Sequence, residues 1–451
     1  MEFELETRAR STEPTVLVMG MGVTGASCAR HFAARGIAAE FADTRERPPG
    51  MGQILDAMPD ARTHVGGEPY TLPDTIRRIV LSPGVELDSA LLAEAGRRQL
   101  EVVSDIDLFV AECTAPIVAV TGSNGKSTVT SMLGSILNAT GKRALVGGNI
   151  GTPALDLLDP SADVYVLELS SFQLERSTPI PAAAGVILNI SPDHLDQHRD
   201  IHAYAAAKAR VYLACDHAIL NRDDPALARH VPKGCVVTSF GMSVPGDEEF
   251  GLVSTLRGEC IAVGANLLLA TDELPLIGRH NISNAMAALA AGAVVGGNPA
   301  AMAQALKRYR GLPHRMEVVG EFVSVTWIDD SKATNVGAAL ASIAGVSDPF
   351  VLIAGGDAKG ASFRELAAAL RARHCEVILF GRDADSMSIE LRDACPVHRV
   401  EGMAAAVRLA AQLAAPGGSV LLAPACSSLD MFDDFAARGD AFAAAVRELD
   451  S

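Results

Sequence analysis

Residues 117–128, IVAVTGSNGKST, have the residue types that hold the phosphates of a nucleotide. An apolar, β-branched run enters a turn that contains two glycines and ends in Lys-Ser-Thr, and a helical pattern follows. Glycine lets the backbone approach an anion, a helix N-terminus offers unpaired N–H groups, lysine supplies a cation, and serine supplies a hydroxyl for Mg²⁺. The predicted ATP-binding residues of this turn are Gly122, Ser123, Asn124, Gly125, Lys126, Ser127 and Thr128.

The spacing of this motif, G-x-x-G-K-S, is two residues shorter between the glycines than the general P-loop pattern. It points to a subset of ATP-using enzymes. A glycine-rich turn without a ligand is the alternative interpretation. The order of strand, turn, Lys-Ser-Thr and helix favours the nucleotide site, because that order is the context the motif requires.

A second glycine motif lies near the N-terminus, where residues 20–25, GMGVTG, follow the apolar run TVLVMG. Asp43 ends the next apolar run, at a distance suited to a ribose contact. The motif alone fits a dinucleotide or a UDP-sugar equally well, because both need a tight turn and a helix N-terminus at a diphosphate. Ser82-Pro83-Gly84 ends another strand and is expected at the same sheet edge, although an ordinary turn would also explain it.

Several polar residues follow other apolar runs in the middle of the chain. Glu168 ends DVYVLELSS, where a carboxylate could help hold Mg²⁺, and His194 follows a strand in NISPDHLDQH. Asn281 and Asn284 are spaced three apart at the start of a helix and could bind adenine or ribose, although helix capping explains one of them. Arg315, in LPHR, could reach a γ-phosphate across a cleft.

Three loops in the last third of the chain carry cations and hydroxyls. Lys332 and Thr334 follow one strand in DDSKATN, Lys359 follows another in AGGDAKG, and Ser428 lies in APACSSLDMF. Parallel strands bring such loops to one sheet edge, so they are expected to form a site for an acidic co-substrate. Unrelated surface loops are the alternative.

Composition restricts the class of protein. The chain has 451 residues, 49% of them hydrophobic, and a net charge of −16, which argues against binding to nucleic acid or to an anionic membrane surface. The eight cysteines are scattered without zinc spacing, which predicts a reducing compartment and no structural metal. No apolar run long enough to span a membrane and no secretory leader is evident, so we expect a cytoplasmic protein. We also expect its partners to be small molecules and the protein to be a monomer.

Short apolar runs alternate with alanine-rich helical segments along most of the chain, which predicts an α/β fold with parallel sheets. Three domains are expected. They are a Rossmann-like domain at 1–105, a P-loop-type ATPase domain at 106–312 with a smaller antiparallel portion near 235–277, and a second Rossmann-like domain at 313–451. Residues 1–14 carry no prediction.

Taken together, TGSNGKST, LELSSFQLE, NISPDHLD, AAKARVY, HNISNAMAAL, GLPHRMEVV, DDSKATNVGAA, GGDAKG and PACSSLDMF resemble the Mur ligase family. The third-domain motifs are most similar to those of the members that add D-glutamate to a UDP-muramoyl-alanine. The resemblance implies that the first domain binds the UDP of that substrate and no dinucleotide. The residues implied to contact the UDP-sugar are Val23, Thr24, Asp43, Thr44, Arg45, Gly84 and Asn149.

The resemblance also assigns chemistry. It implies ATP and two Mg²⁺ ions, with Lys126, His194 and a carbamylated Lys208 as catalytic residues. The implied metal ligands are Ser127, Glu168, His194 and the Lys208 carbamate, and Asn281, Asn284 and Arg315 are implied to hold ATP. The residues implied to bind the amino acid are Lys332, Thr334, Lys359, Ser428, Leu429 and Phe435.

Two positions depart from the family pattern: Ala358 replaces an expected glycine, and Ala423 an expected serine. Ala358 would strain the loop that carries Lys359 if its φ were positive.

Three other functions stay open at this stage. One is a related ATP-dependent amide ligase, such as a folylpolyglutamate synthetase or another Mur ligase. The second is an NAD-dependent oxidoreductase with an accessory nucleotide domain, and the third is a nucleotide switch without catalysis. The phosphate loop, Glu168 and His194 would have no role in the oxidoreductase.

Overall fold

The computed structural model describes residues 15–66, 71–85, 90–191 and 198–450. Within these residues the chain forms three β-sheets that follow one another in sequence, with helices between most strands. The α/β prediction with three sheet-containing parts is confirmed.

The first sheet has five parallel strands in the order β3-β2-β1-β4-β5. Strand order reverses beside β1, and the glycine motif follows β1 at this switch point, where ligands of open sheets bind. The strands are β1 Val16–Met19, β2 Ala39–Asp43, β3 Arg62–Val65, β4 Arg78–Leu81 and β5 Glu101–Ser104, and the helices are α1 Val23–Arg35, α2 Met51–Ala57, α3 Ala90–Arg97 and α4 Asp105–Glu112.

The central sheet has nine strands in the order β14-β13-β12-β11-β10-β9-β6-β8-β7. Strands β6 to β11 are parallel, and β12 to β14 form the antiparallel portion. The strands are β6 Ile117–Thr121, β7 Ala144–Gly148, β8 Val164–Glu168, β9 Ala184–Ile187, β10 His217–Asn221, β11 Val236–Phe240, β12 Phe250–Thr255, β13 Gly258–Val263 and β14 Asn266–Ala270.

Five α-helices accompany the central sheet in the described residues, and 3₁₀ turns connect several elements. The phosphate-loop helix α5 packs against this sheet and, beside it, against α8 through apolar residues that are fully buried, such as Val129 and Leu133. The helices are α5 Lys126–Ala139, α6 Ser171–Arg176, α7 Ile201–Ala209, α8 Arg279–Val294 and α9 Pro299–Leu306, and the 3₁₀ turns are Ala154–Leu157, Arg210–Tyr212, Pro225–His230 and Thr271–Glu273.

The third sheet has six strands in the order β15-β16-β20-β17-β18-β19, all parallel except the β15–β16 pair. Its strands are β15 Glu317–Phe322, β16 Val325–Asp329, β17 Phe350–Ala354, β18 Cys375–Leu379, β19 Val397–Arg399 and β20 Ser419–Leu422. Its helices are α10 Val336–Ala344, α11 Arg364–Leu370, α12 Ala384–Leu391, α13 Met403–Leu413 and α14 Phe435–Arg447, with a final 3₁₀ turn at Glu448–Asp450.

Apolar strands buried on both faces form the cores, which is why the central parallel strands are nearly continuous runs of Val, Ile and Leu. The three sheets span residues 16–104, 117–270 and 317–422, so each falls inside one predicted domain. We propose residues 1–105, 106–312 and 313–451 as the three domains. In the part of the chain that the structure describes, no helix is both long and apolar enough to cross a membrane.

Candidate active site

The phosphate loop lies between β6 and α5. Gly125 has a φ of +83°, which L side chains rarely adopt, and a Cβ there would lie 2.6 Å from Asn284 Oδ1. The ammonium of Lys126 donates to the carbonyl oxygens of Gly122, at 2.8 Å, and Ser123, at 2.9 Å. The lysine therefore sits at its own loop, where its charge can meet a phosphate.

Asn189 holds this loop in shape, although its role was not predicted from the sequence. Its Oδ1 accepts from the Asn124 N–H at 2.9 Å, its Nδ2 donates to the Asn124 carbonyl at 3.1 Å, and its own carbonyl accepts from the Ser123 N–H at 2.9 Å. The signal was available, since Asn189 follows β9 in the same NISPDH segment that drew attention to His194.

Glu168 lies at the carboxyl end of β8, which pairs with β6. Asn149 Nδ2 donates to Glu168 Oε1 at 2.7 Å, whereas Oε2 is buried and has no hydrogen-bond partner. A buried carboxylate oxygen without a donor is unfavourable unless a cation reaches it. The carboxylate therefore fits a Mg²⁺ ligand, and Asn149, predicted to contact the UDP-sugar, orients this group.

Lys208, on α7, is 1% exposed. Its ammonium nitrogen lies 3.5 Å from Thr121 Oγ1, at the end of β6, and 4.5 Å from the centre of the Tyr204 ring. A side chain placed this way reaches the edge of the sheet that carries the phosphate loop. His194, the other predicted catalytic residue of this region, lies outside the described residues.

The two predicted amides of α8 meet the phosphate loop. Asn281 Nδ2 donates to the carbonyl of Ile277 at 2.7 Å, and Asn284 Nδ2 donates to Asn281 Oδ1 at 3.2 Å. Both side chains are buried, and Asn284 Oδ1 faces Gly125. One amide therefore holds the helix start and positions the other at the loop.

Arg315 reaches the phosphate loop from the start of the third domain. Its Nη2 donates to Ser127 Oγ at 2.7 Å, and burial lowers the pKa of the guanidinium, while Asp330 and Glu168 oppose that shift. The preceding residue, His314, fixes the turn, because its Nδ1 lies 2.8 Å from Asp329 Oδ2. Arg315 is therefore brought beside the hydroxyl and the carboxylate predicted to bind metal.

Lys332 lies close to the same group of side chains. Burial, together with the positive charges of Arg315 and Lys126, lowers its pKa to about 8, and Glu168 opposes the shift. Its ammonium lies 3.7 Å from the centre of the Phe435 ring. The structure thus brings Arg315 and Lys332 of the third domain within electrostatic reach of Glu168, and Lys332 within reach of Lys126.

Arg438, which belongs to no motif recognised in the sequence, joins two of the predicted amino-acid loops. The side chain is fully buried; its Nη2 donates to the Ser331 carbonyl at 2.8 Å and its Nη1 to the Cys426 carbonyl at 3.1 Å. Burial lowers its pKa to about 10. The arginine ties the loop of Lys332 to the loop of Ser428.

Backbone hydrogen bonds between Asp357 and Ser427, at 3.0 and 2.9 Å, join the loop of Lys359 to the loop of Ser428. Lys359 and Leu429 are exposed at these loop tips, whereas Ser428 is buried. Thr334 is half-buried beside Asn335, which caps α10.

The two departures from the family pattern leave this arrangement intact. Lys359 itself has the left-handed backbone, with a φ of +49°, whereas Ala358 is not among the described residues with positive φ. The expected strain therefore falls on the lysine position. Ala423 is fully buried in the third-domain core.

In the first domain, the glycine motif turns tightly after β1. A Cβ on Gly25 would lie 2.3 Å from the Gly20 carbonyl oxygen, whereas a Cβ on Gly22 would meet no protein atom within 4 Å. Gly22 therefore opens toward solvent at the start of α1, where a diphosphate could approach.

Asp43 organises the rim of this site. Its carboxylate accepts from the Met21 N–H at 2.8 Å and binds the Arg45 guanidinium at 2.7 and 2.8 Å. The hydrogen bond from Arg45 lowers the pKa of Asp43 to about 2. Val23, Thr44, Arg45 and Gly84 are exposed and Thr24 is half-buried. The predicted UDP-sugar residues of this domain therefore share one sheet edge.

Comparison with known proteins assigns the chain to a family. Residues 14–104 match the Mur ligase MurD-like N-terminal domain, residues 120–292 the Mur ligase middle domain, and residues 314–426 the Mur ligase glutamate ligase domain. A protein of Nitrosococcus oceani named UDP-N-acetylmuramoylalanine--D-glutamate ligase is 44% identical over 96% of this chain and 97% of its own. A Pseudomonas aeruginosa protein of the same name is 44% identical over 96% and 98%.

The chain belongs to the Mur ligase family. Solved structures agree in fold: the MurF ligase of Thermotoga maritima in complex with ADP has a TM-score of 0.62 at 16% identity, covering 95% of this chain and 97% of its own. The MurC ligase of the same organism has a TM-score of 0.59 at 17% identity, covering 97% and 100%. The family resemblance predicted from the motifs is confirmed, and the oxidoreductase and the nucleotide switch are disfavoured.

Proposed function

We propose that this Mur ligase joins D-glutamate to UDP-N-acetylmuramoyl-L-alanine at the cost of ATP, through an acyl phosphate, in the synthesis of peptidoglycan precursors. The observation that carries the proposal is the contact of Arg315 with Ser127 at the phosphate loop of Lys126, with the Glu168 carboxylate and Lys332 within electrostatic reach of Arg315. The curated relatives that cover nearly the whole chain bear the name of this reaction.

The residues fit ATP with Mg²⁺. Ser127 Oγ and the unpartnered Glu168 Oε2 offer oxygen ligands to a hard divalent cation. Bound Mg²⁺ would neutralise phosphate charge. His194 and Lys208, if carbamylated, would complete the ligand set that the family resemblance implies.

Carbamylation of Lys208 is part of the proposal. Lys208 is 1% exposed, and a carbamate would replace its cation by two oxygens, the ligand type that Mg²⁺ prefers, at the same edge of the sheet. Its position 3.5 Å from Thr121 Oγ1 supports a role beside the phosphate loop.

The reaction has two steps. A carboxylate has no leaving group good enough for amide formation in water. The alanyl carboxylate therefore attacks the γ-phosphorus of ATP, the bond from that phosphorus to the bridging oxygen breaks, ADP leaves, and an acyl phosphate forms. Lys126 and Arg315 stabilise the charge on the phosphoryl oxygens. The free amine of D-glutamate then attacks the acyl carbon, the amide C–N bond forms, and phosphate leaves.

Substrate binding divides between the outer domains. The rim of Gly22, Thr24 and Arg45 would hold the UDP-sugar, and Lys332 with the exposed Lys359 would hold the two carboxylates of D-glutamate. The UDP-sugar, D-glutamate and ATP are small and water-soluble, so we expect the enzyme to act in the cytoplasm. That it is a monomer stays a prediction.

The deciding experiment measures phosphate release from ATP in the presence of UDP-N-acetylmuramoyl-L-alanine with D-glutamate, with L-glutamate or with no amino acid. Release that requires both the UDP-sugar and D-glutamate supports the proposal. Release with L-glutamate would support the ligase activity and contradict the specificity for D-glutamate. ATP binding without release under any condition would support the nucleotide switch.

A further inference from the structure

Two cysteines lie side by side at the entering ends of β10 and β11. These strands are parallel neighbours, with His217 opposite Val236. Cys215 precedes β10 by two residues and Cys235 precedes β11 by one, so the register places them together. Their sulfur atoms are 3.9 Å apart. The cysteines are scattered in sequence, and this pair was not predicted, because it depends on which strands are neighbours.

The surroundings of the pair favour reaction between the two thiols. Both residues are partly exposed, so a small oxidant can reach them. Burial and the neighbouring Cys235 raise the pKa of Cys215 to about 12, so Cys215 suits the part of the second thiol, which reacts after the first has been oxidised. Among the described residues, no third His, Cys, Asp or Glu side chain lies close enough to complete a metal site with these sulfurs.

We propose that Cys215 and Cys235 form a reversible disulfide when the protein meets a hydroperoxide. The Cys235 thiolate attacks the peroxide oxygen and becomes a sulfenic acid, and an alcohol or water leaves. The Cys215 sulfur then attacks the Cys235 sulfur, and the sulfenic oxygen leaves as water. The two thiols lose two electrons, which reduce one peroxide O–O bond, and dithiol reagents reverse the reaction.

The disulfide would link β10 to β11 at the amino-terminal ends of these strands. The phosphate loop lies at the carboxyl ends of the parallel strands, so the disulfide would form at the opposite edge of the central sheet. It would also close the segment between the two cysteines, which carries Asn221 and Asp224. Asn221 Nδ2 donates to the Leu188 carbonyl at 2.7 Å, and Asp224 accepts from the Ile190 N–H at 3.3 Å. Oxidation should therefore raise thermal stability while the nucleotide site keeps its shape.

The test treats the full-length reduced protein with hydrogen peroxide, alkylates the remaining thiols and maps the peptides without reduction. Melting temperature and phosphate release are measured in parallel. Cys235→Ser removes the pair, and Cys260→Ser is the matched control, since it removes a partly exposed thiol from the same domain. The peptide map and the melting temperature do not depend on the proposed substrates.

Wild type and the Cys260→Ser variant should gain a Cys215–Cys235 linkage, melt several degrees higher, keep their turnover and revert with dithiothreitol. The Cys235→Ser variant should show no linkage and no rise. The proposal is overturned if Cys235 oxidises to sulfinic or sulfonic acid while Cys215 stays free. It is also overturned if other cysteines pair instead, or if a chelator-removable metal protects the thiols.

Discussion

The Lys126 ammonium donates to carbonyl oxygens of the phosphate loop, where a phosphate would bind, so its removal should affect phosphate chemistry more than folding. We expect Lys126→Ala to lower kcat by about a hundredfold or more, as the loss of one charge-stabilising donor commonly does. Binding of the UDP-sugar, measured by calorimetry, should stay close to wild type because that site lies in the first domain. Full activity in Lys126→Ala would contradict the role assigned to the loop.

Lys332 gives the reaction a pH dependence of known sign. Its pKa of about 8 means that the side chain loses its proton, and with it the positive charge, as the pH rises through 8. If it binds a carboxylate of D-glutamate, KM for D-glutamate should rise above that pH.

Lys332→Arg provides the comparison, because arginine stays charged and any titration of the substrate amine affects both enzymes equally. The rise in KM between pH 7 and 9, assayed by phosphate release, should be smaller in the variant. Identical pH profiles would remove Lys332 from the amino-acid site.

Residues with their own motif were predictable from the sequence, and residues that act through other residues were not. Lys126 and Ser127 follow a strand and open a helix, a context visible in one dimension. Asn189 and Arg438 hold loops that are distant in sequence, and only the fold shows which loops they join. Lys208 became interpretable only through the family resemblance.

At the scale of elements, α4 begins with a buried carboxyl group. Asp105 is 3% exposed, its Oδ1 has no hydrogen-bond partner, and burial raises its pKa to about 7. The unfolded chain has a pKa near ~3.9, so the folded state binds the proton more tightly. This stabilising contribution is complete below about pH 4 and is lost as the pH rises through 7.

The free energy of unfolding of the wild type should therefore fall between pH 5 and 8. In Asp105→Asn this fall should be smaller by about 2–3 kcal/mol. Urea denaturation at both pH values measures the difference. The exposed Asp56→Asn, in the same domain, should retain the wild-type dependence. Equal pH dependence in all three proteins would show that Asp105 is ionised in the folded state.

Elements with a strong apolar pattern were predicted closely. Asp43 was predicted to end an apolar run, and it is the last residue of β2, Ala39–Asp43, whose Ala39 and Phe41 are buried. Strand β19, with the sequence VHR, was missed because a short edge strand with polar residues lacks that pattern. The strand β15 was missed for the same reason: most of its residues are exposed or half-buried.

At the scale of the whole molecule, the third domain contacts the phosphate loop. Arg315 binds Ser127, and Asn335 Nδ2 lies 3.5 Å from Asn124 Oδ1. These contacts suit a closed state that excludes water from an acyl phosphate. We expect small-angle scattering to show a smaller radius of gyration when the UDP-sugar and an ATP analogue are added.

Arg315→Ala is the matched variant for this measurement, because it removes the contact with Ser127 and leaves the third-domain core unchanged. The compaction should be weaker in the variant. A wild-type profile that ligands do not change would argue against closure. The number of domains was predictable from repeated strand and helix patterns, whereas contacts between domains depend on side chains that meet only after folding.

The open space at Gly22 has a consequence for mutational tolerance. Gly25 and Gly22 belong to the same motif, but a methyl group at Gly25 would collide with backbone, whereas one at Gly22 would point into empty space. Substitution at Gly25 therefore tests whether the domain folds, and substitution at Gly22 tests whether the folded domain still has room for a diphosphate. In a library of single variants sorted first by abundance and then by growth, Gly22→Ala should persist through the first selection and disappear in the second.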